Sequence, residues 1–400
     1  MNYGDDEFMI DIKKEYDSEE DSTDSEEEST DSEEELTDSE EESSSVFSID
    51  NGGIYCYMIA TLQMLFTIKE FREYILDYDF FLKKVRKAYK KTYKSEILKE
   101  YCFYELYNLL KDDQSSSIFS AAKSIDGLKK IIRERLKDEM FNSGDKKFTI
   151  DVQNDALEFL TFFLNILHSE FYRIEKAIRL DMKFSDISKE KSFISHFFKI
   201  YYEFQIYNHR TSYTIYKDNT DYDLVKKEMV FNDYVVSIKL NDPQVQELRN
   251  PTLQKLLNFS FGKEQITRNG FVVYTAKKNF YDFPTYIILC IHRFGNDGSK
   301  NLKVIDIPKT VNISDRSYNI ISVVCHNGRN ASSGHYVTFA ERDDCWYLFD
   351  DGRDPRPICS EEVLRLVSGR KNNFLRFKKR YDFNPYLILC KITEDFKNGL

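Results

Sequence analysis

Hydrolysis by a cysteine needs four groups close together. These are a thiol, a base for its proton, a group that orients the base, and donors for the oxyanion. The chain carries seven cysteines and six histidines. Among the histidines, His335 has the richest surroundings, GHYVTFAERDDCWYLFDDG. Two alternating stretches flank a polar turn at about 341–344, which reads as a hairpin. A symmetric hairpin centred there sets Phe339 opposite Trp346, Val337 opposite Leu348 and His335 opposite Asp350. Directly opposed side chains have Cβ atoms roughly 4.5–5.5 Å apart. A carboxylate at that distance would fix the imidazole tautomer and stabilise the imidazolium. The same pairing also describes an ordinary cross-strand ion pair. His168 lies in an amphipathic helical pattern, and His196 and His209 lie in aromatic stretches without a second polar partner. Structural or surface roles suit those three, and His292 reads as the end of a buried strand.

The candidate thiol comes from NGGIYCYMIATLQ. Gly52 and Gly53 permit a sharp turn and a close backbone approach to a substrate. Cys56 follows where an apolar helix begins, and a helix N-terminus and an imidazolium both favour a thiolate. Asn51 precedes it by five residues and can point an amide at an oxyanion. A packed core thiol fits the same position, and that reading also covers the other six cysteines.

The elements that must position these groups divide the chain in two. After Val46 the pattern is helical to about residue 185. CYMIATLQMLFTIKEFREYIL is apolar on most sides and reads as one buried helix. NDALEFLTFFLNILHSEF puts Ala156, Phe159, Leu160, Phe163 and Leu167 on one stripe. From about 195 the pattern turns to strands: IYYEFQIY, TSYTIY, YVVSIKL, FVVYTA, TYIILCIHRF, NIISVVCH, HYVTFA, CWYLFDD and PYLILCKI. Helices first and strands later predict an α+β architecture. Residues 46–395 read as one multi-lobed domain.

Charge is unevenly distributed. Residues 1–45 hold 21 acidic side chains and 2 lysines, about −19, and the rest holds 55 basic and 47 acidic, about +8. Residues 23–43 repeat TDSEEES, TDSEEEL, TDSEEES. With Leu36 as the sole apolar residue there is no coiled-coil seam, so a disordered acidic tail rich in Ser and Glu is expected over 1–45. A short tail is expected at 396–400. The mildly basic body shows no nucleic-acid motif, and no run of about 18 apolar residues predicts a membrane span. No signal-peptide pattern opens the sequence. An odd number of cysteines without paired spacing fits a reducing, cytoplasmic or nuclear location rather than a secreted one. No CxxC occurs, so no metal site is expected.

Five segments, taken in order, resemble the ubiquitin-specific proteases. NGGIYCYMIATLQMLF is similar to their cysteine box, N-x-G-N-T-C-Y-M-N-S-x-L-Q. QNDALEFLTFFL is similar to their Q-x-D-A-x-E-F-L helix. YTAKKNFYDFPTYIILCIHRF resembles the stretch leading to K/H-R-F. HNGRNASSGHYVTFAERDDCWYLFDDG resembles their histidine box, and PYLILCKI their closing strand. Together they span residues 51–392.

The resemblance implies a papain-like cysteine protease fold of thumb, palm and fingers. It implies a deubiquitinating activity with Cys56 as nucleophile, His335 as base, Asp350 as third member and Asn51 at the oxyanion. Asp155 corresponds to the acidic residue that meets the basic tail of ubiquitin, and Gly334 to a substrate-binding position. His326 and Asp351 match supporting positions. The partners implied are ubiquitin and ubiquitinated proteins, with a monomer acting without a cofactor, away from membranes and nucleic acid. The sequence departs at Ile54, Tyr55, Ile59 and Ala60, where the family box has small or polar residues. It also lacks the four zinc cysteines of many fingers regions, at about 198–280, which implies zinc-free fingers. A ubiquitin-binding protein without turnover and a protease for a ubiquitin-like modifier remain alternative readings.

Overall fold

The computed structural model describes residues 46–88, 99–111, 122–137, 148–179, 192–209, 222–240, 243–261, 264–268, 271–282, 284–295, 298–330, 333–368 and 383–393. The acidic segment 1–45, the expected strand TSYTIY and the segment 396–400 lie outside the described residues.

Among the described residues, seven helices come first: α1 (Cys56–Leu65), α2 (Lys69–Leu76), α3 (Tyr78–Ala88), α4 (Cys102–Leu110), α5 (Asp126–Arg135), α6 (Ala156–Arg179) and α7 (Phe193–Phe198). The strands follow as β1 (Ile200–His209), β2 (Tyr222–Asp233), β3 (Val235–Lys239), β4 (Glu264–Arg268), β5 (Phe271–Asp282) and β6 (Tyr286–His292). Then come β7 (Thr310–Ile313), β8 (Arg316–Asn330), β9 (Ser333–Arg342), β10 (Cys345–Phe349), β11 (Arg356–Ile358) and β12 (Asn384–Ile392). Three later helices sit among the strands: α8 (Pro243–Gln246), α9 (Leu253–Ser260) and α10 (Ser360–Val367). The α+β expectation therefore holds.

The strands form two sheets, one of four strands in the order β2-β1-β5-β4 and one of eight. The larger runs β11-β10-β9-β8-β12-β6-β3, with β7 added against β8. Its pairs are antiparallel except β3 with β6. The strands β2 (YDLVKKEMVFND) and β4 (EQITR) were not visible as sequence patterns, because their charged residues hide the alternation that marks a half-buried strand.

The expected long helix from Cys56 to Leu76 is two helices. Phe66 N–H still donates to Leu62 O (2.8 Å), but Ile68 N–H turns back to Leu65 O (3.1 Å) and the Thr67 hydroxyl to Gln63 O (3.2 Å). The break has a clear cause. All ten residues of α1 are buried, whereas α2 carries Lys69, Glu70, Arg72 and Glu73. A straight continuation would carry those charges into the core, so the chain bends and keeps Lys69 and Glu73 in water. On α6 the predicted stripe is real: Ala156, Phe159, Leu160, Phe163 and Leu167 are all fully buried. Phe159 meets Tyr57 of α1 edge to face, with centroids 5.6 Å apart.

Helix α1 is fastened to strand β9. The Thr338 hydroxyl donates to Ala60 O (2.7 Å). Buried Arg342 donates to Gln63 O (2.5 Å) and to the Thr67 hydroxyl (2.7 Å), with Phe349 under its guanidinium at 5.1 Å. Each full burial of a residue such as Met58 or Leu62 contributes roughly 1.5–3 kcal/mol, so the helix cannot leave the sheet without a large loss.

The β9–β10 hairpin corrects the expected register. Leu348 pairs with Phe339, Trp346 with Glu341 and Cys345 with Arg342. The turn is the two residues Asp343 and Asp344, with φ +49° and +63°. Positive φ at both positions is the tight hairpin geometry whose twist matches the strands, and Asp tolerates it. The pairing is thus displaced by two from the expected one, and His335 is not directly opposite Asp350. A displacement of two preserves which face each side chain occupies.

Candidate active site

Cys56 is the first residue of α1 and only 4 % exposed. The preceding turn needs its glycines: Gly52 has φ +56° and Gly53 φ +139°. Asn51 closes this turn, its Oδ1 accepting the Tyr55 N–H (2.7 Å). The departures from the family box have visible places. Ile59 and Ala60 pack in the core. Tyr55 lies under the Lys129 ammonium (4.4 Å to the ring), and its hydroxyl receives Arg133 at 3.5 Å. Arg133 in turn pairs with Asp151 at 2.8 Å. Helix α5 thus braces the cysteine turn, a contact with no counterpart in the sequence patterns.

Strand β9 brings His335 to the same place. Its Nε2 lies 2.6 Å from Asp350 Oδ1, and the Cys56 thiol lies near enough to the ring to help raise its pKa. With Nε2 engaged by Asp350, Nδ1 is the nitrogen left to face the sulfur. Asp351 Oδ2 is 3.8 Å from Nδ1 and accepts the Asn51 amide at 2.8 Å. Cys56, His335, Asp350 and Asn51 are therefore brought together, with Asp351 joining the imidazole to the amide.

Asp350 reaches His335 in spite of the displaced register because β10 ends at Phe349. Asp351 then takes φ +52°, which turns the chain out of the ladder and frees the two carboxylates.

Burial disfavours the charged form of His335. The hydrogen bonds to Asp350 and Cys56 and the charge of Asp351 outweigh it and raise the pKa to about 10. Burial also pushes Asp350 upward, but the His335 hydrogen bond and charge, with Arg353, bring it below the usual carboxylate value. Arg353 Nη1 donates to Asp350 Oδ2 at 2.5 Å. Asp351 is raised by its burial.

A second layer holds the strand that carries His335. Gly334 has φ +153°, and a Cβ there would run into His326 Nε2 and Asn327 O. Its carbonyl accepts Gln153 Nε2 at 2.8 Å. His326, fully buried on β8, has its Nδ1 2.9 Å from Lys300 Nζ. An ammonium only donates, so Nδ1 accepts and the ring proton sits on Nε2. Burial, with the nearby charges of Lys300 and His335, lowers the His326 pKa to about 3. Lys300 also donates to the carbonyls of His326 (2.8 Å) and Gly328 (3.1 Å). Gln153, Lys300 and Arg353 were missed by sequence reasoning. Gln153 stood inside a matched segment, which was the one available signal.

Asp155 makes its contacts at the start of α6 and with β12. Its Oδ1 accepts the Leu157 and Glu158 N–H groups (2.8 and 3.2 Å), capping α6. Its Oδ2 accepts the Tyr386 hydroxyl at 2.5 Å. Burial raises its pKa despite these bonds. Potential metal-ligand atoms of His335, Asp350 and Asp351 lie within 4.8 Å of one another. Their hydrogen bonds to one another and to Asn51 account for that grouping.

A profile of the family described as "Ubiquitin carboxyl-terminal hydrolase" matches residues 47–361. The chain belongs to that family, as one of its ubiquitin-specific proteases. Solved structures agree on the fold. The yeast SAGA DUBm with an Sgf73 mutant aligns with TM-score 0.58 at 17 % identity, covering 89 % of this chain and 70 % of that one. The SAGA DUB module bound to monoubiquitin gives 0.59 at 17 %, covering 88 % and 70 %. The module bound to ubiquitin aldehyde gives 0.57 at 17 %, covering 89 % and 71 %. The papain-like arrangement of thumb, palm and fingers is the fold of this chain. Among the described residues no helix is long and apolar enough to cross a membrane.

Proposed function

We propose that residues 46–395 form a thiol hydrolase that cleaves the peptide or isopeptide bond after the C-terminal glycine of ubiquitin. The observation that carries this reading is the 2.6 Å contact between His335 Nε2 and Asp350, with Cys56 close to the same ring. His335 then holds a proton that the thiol can give up. The Cys56 thiolate attacks the carbonyl carbon, and the new C–S bond pushes the carbonyl electrons onto oxygen. One amide hydrogen of Asn51 is spent on Asp351, and the second remains for that oxyanion, with backbone N–H groups beside it. Each such donor contributes roughly 2.7–4 kcal/mol in known cases. The collapsing intermediate expels the lysine amine, which takes the proton from His335. The imidazole next removes a proton from water, hydroxide adds to the thioester, and Cys56 leaves as thiolate.

Gly334 offers a backbone without a side chain beside the base, and the remaining lone pair of Asp155 suits a basic group in the ubiquitin tail. The chain would act on ubiquitinated proteins in the cytoplasm or nucleus without a cofactor. The similar structures are modules of several components, so the oligomeric state is a matter for mass measurement rather than for an assumed monomer.

The test is a ubiquitin probe ending in a thiol-reactive electrophile. Wild type should be labelled once, and Cys56→Ala not at all. Labelling that persists in Cys56→Ala, or a folded wild type that binds ubiquitin unlabelled, overturns the proposal. Labelling confined to a probe built on another modifier would move the substrate but keep the chemistry.

A further inference from the structure

Five of the seven cysteines are buried, and Cys345 and Cys359 are the two that are exposed. Cys345 begins β10, and Cys359 directly follows the neighbouring strand β11. Strand β10 pairs with β11 through Trp346 with Ile358, Tyr347 with Pro357 and Leu348 with Arg356. One step further in the same antiparallel register sets Cys345 opposite Cys359. Both are extended there: Cys345 begins β10, and Cys359 has φ −71° and ψ 149°. Successive side chains alternate across a sheet. Trp346 and Leu348 are in the core, and Ile358 packs against the same core. The residues one step away, Cys345 and Cys359, therefore share the outer face.

That register suits disulfide chemistry. Opposed residues of antiparallel strands have Cα atoms about 4.5–5.5 Å apart, inside the roughly 4.4–6.8 Å that disulfides span. Their Cβ atoms, about 4.5–5.5 Å apart, need to close by no more than about 1 Å. No other pair can compete, because Cys102, Cys290, Cys325 and Cys390 have no exposed surface.

We propose that Cys345 and Cys359 are a reversible oxidation site whose oxidant is hydrogen peroxide. One thiolate attacks the peroxide, giving a sulfenic acid as the O–O bond breaks and water leaves. The second thiolate attacks that sulfur, the S–O bond breaks, and a second water leaves. The two sulfurs together give up two electrons and the peroxide is reduced. A dithiol reverses the step by exchange, closing into its own cyclic disulfide. The cross-link brackets residues 346–358, so it tightens the connection that carries Asp350, Asp351 and Arg353.

The experiment uses the full chain with Cys56→Ala, so that the buried thiol near His335 plays no part and no hydrolysis is needed. After hydrogen peroxide treatment, digestion and mass analysis should show the Cys345 and Cys359 peptides joined with the loss of two hydrogens. The join should vanish after dithiothreitol, and it should not form in Cys345→Ser or Cys359→Ser, both at exposed positions. Separate sulfenic or sulfinic products on the two cysteines, or a link to any other cysteine, would overturn the proposal. Amide exchange over 349–356 should slow in the oxidised chain and not in oxidised Cys345→Ser. Unchanged exchange would overturn the restraint on Asp350.

Discussion

His335 and His326 stand on neighbouring strands, one residue out of step, with Asn327 opposite His335 and Tyr336 opposite His326. Both are buried enough for desolvation to be the first influence on their charge. Yet one pKa is raised to about 10 and the other lowered to about 3. The difference comes from their partners. His335 meets two carboxylates and a thiol, whereas His326 meets an ammonium on the nitrogen that must stay unprotonated. One imidazole is thereby kept as a proton store. The other is kept neutral, as a wall against which Gly334 packs. Desolvation opposes the charge on both rings, and a few neighbouring groups decide the chemistry.

The largest effect should come from removing the charged member of the pair. His335→Ala should lower kcat for a ubiquitin C-terminal amide by roughly ten-thousand- to million-fold. His326→Ala should instead appear in urea unfolding, at a cost of about 1–3 kcal/mol, because Lys300 loses an acceptor in a half-buried place.

Next comes Asp350→Asn. It removes the largest upward influence on His335, and kcat should fall by about ten-thousand-fold, as in other triads. The pH profile carries the sign. Folding raises the His335 pKa from 6.5 to about 10, so its protonated form adds stability fully below pH 6.5, lost as pH rises through about 10. In Asp350→Asn the alkaline limb should move toward lower pH, which a rate profile between pH 6 and 11 would measure. An unmoved limb would show that Asp350 does not hold that proton.

Gly334→Ala sharpens the comparison from the other side. Its Cβ meets His326 and Asn327 O, and its backbone sits at positive φ, so a loss of about 1–3 kcal/mol is expected in thermal unfolding. The smallest change should come from Arg353→Ala. Its side chain is 56 % exposed, and such pairs contribute about 0–1 kcal/mol, so kcat should move by at most about fivefold.

The two histidines also show what a sequence displays. His335 was legible because alternation, a polar turn and a carboxylate surround it, and because an error of two in register keeps each residue on its face. The register itself was not legible: a four-residue polar turn and a tight Asp343–Asp344 turn look alike until φ is known. Cys56 was legible from its glycine turn. Lys300 and Gln153 were hidden because they act on carbonyl oxygens, which every residue owns and no side-chain pattern marks. The break after Leu65 was hidden by hydrophobic residues on both sides of it.

The clamp of Thr338 and Arg342 on α1 has a consequence in time. Arg342 and Gln63 are 279 residues apart in sequence. At about 5–20 residues per second, synthesis needs roughly 14–56 s to cover that interval. Through it, the segment that becomes α1 has left the ribosome without the strand that covers it, an apolar stretch open to chaperones. Thiol and imidazole can meet only after strand β9 has been made. A built-in delay thus separates the making of Cys56 from the assembly of its centre.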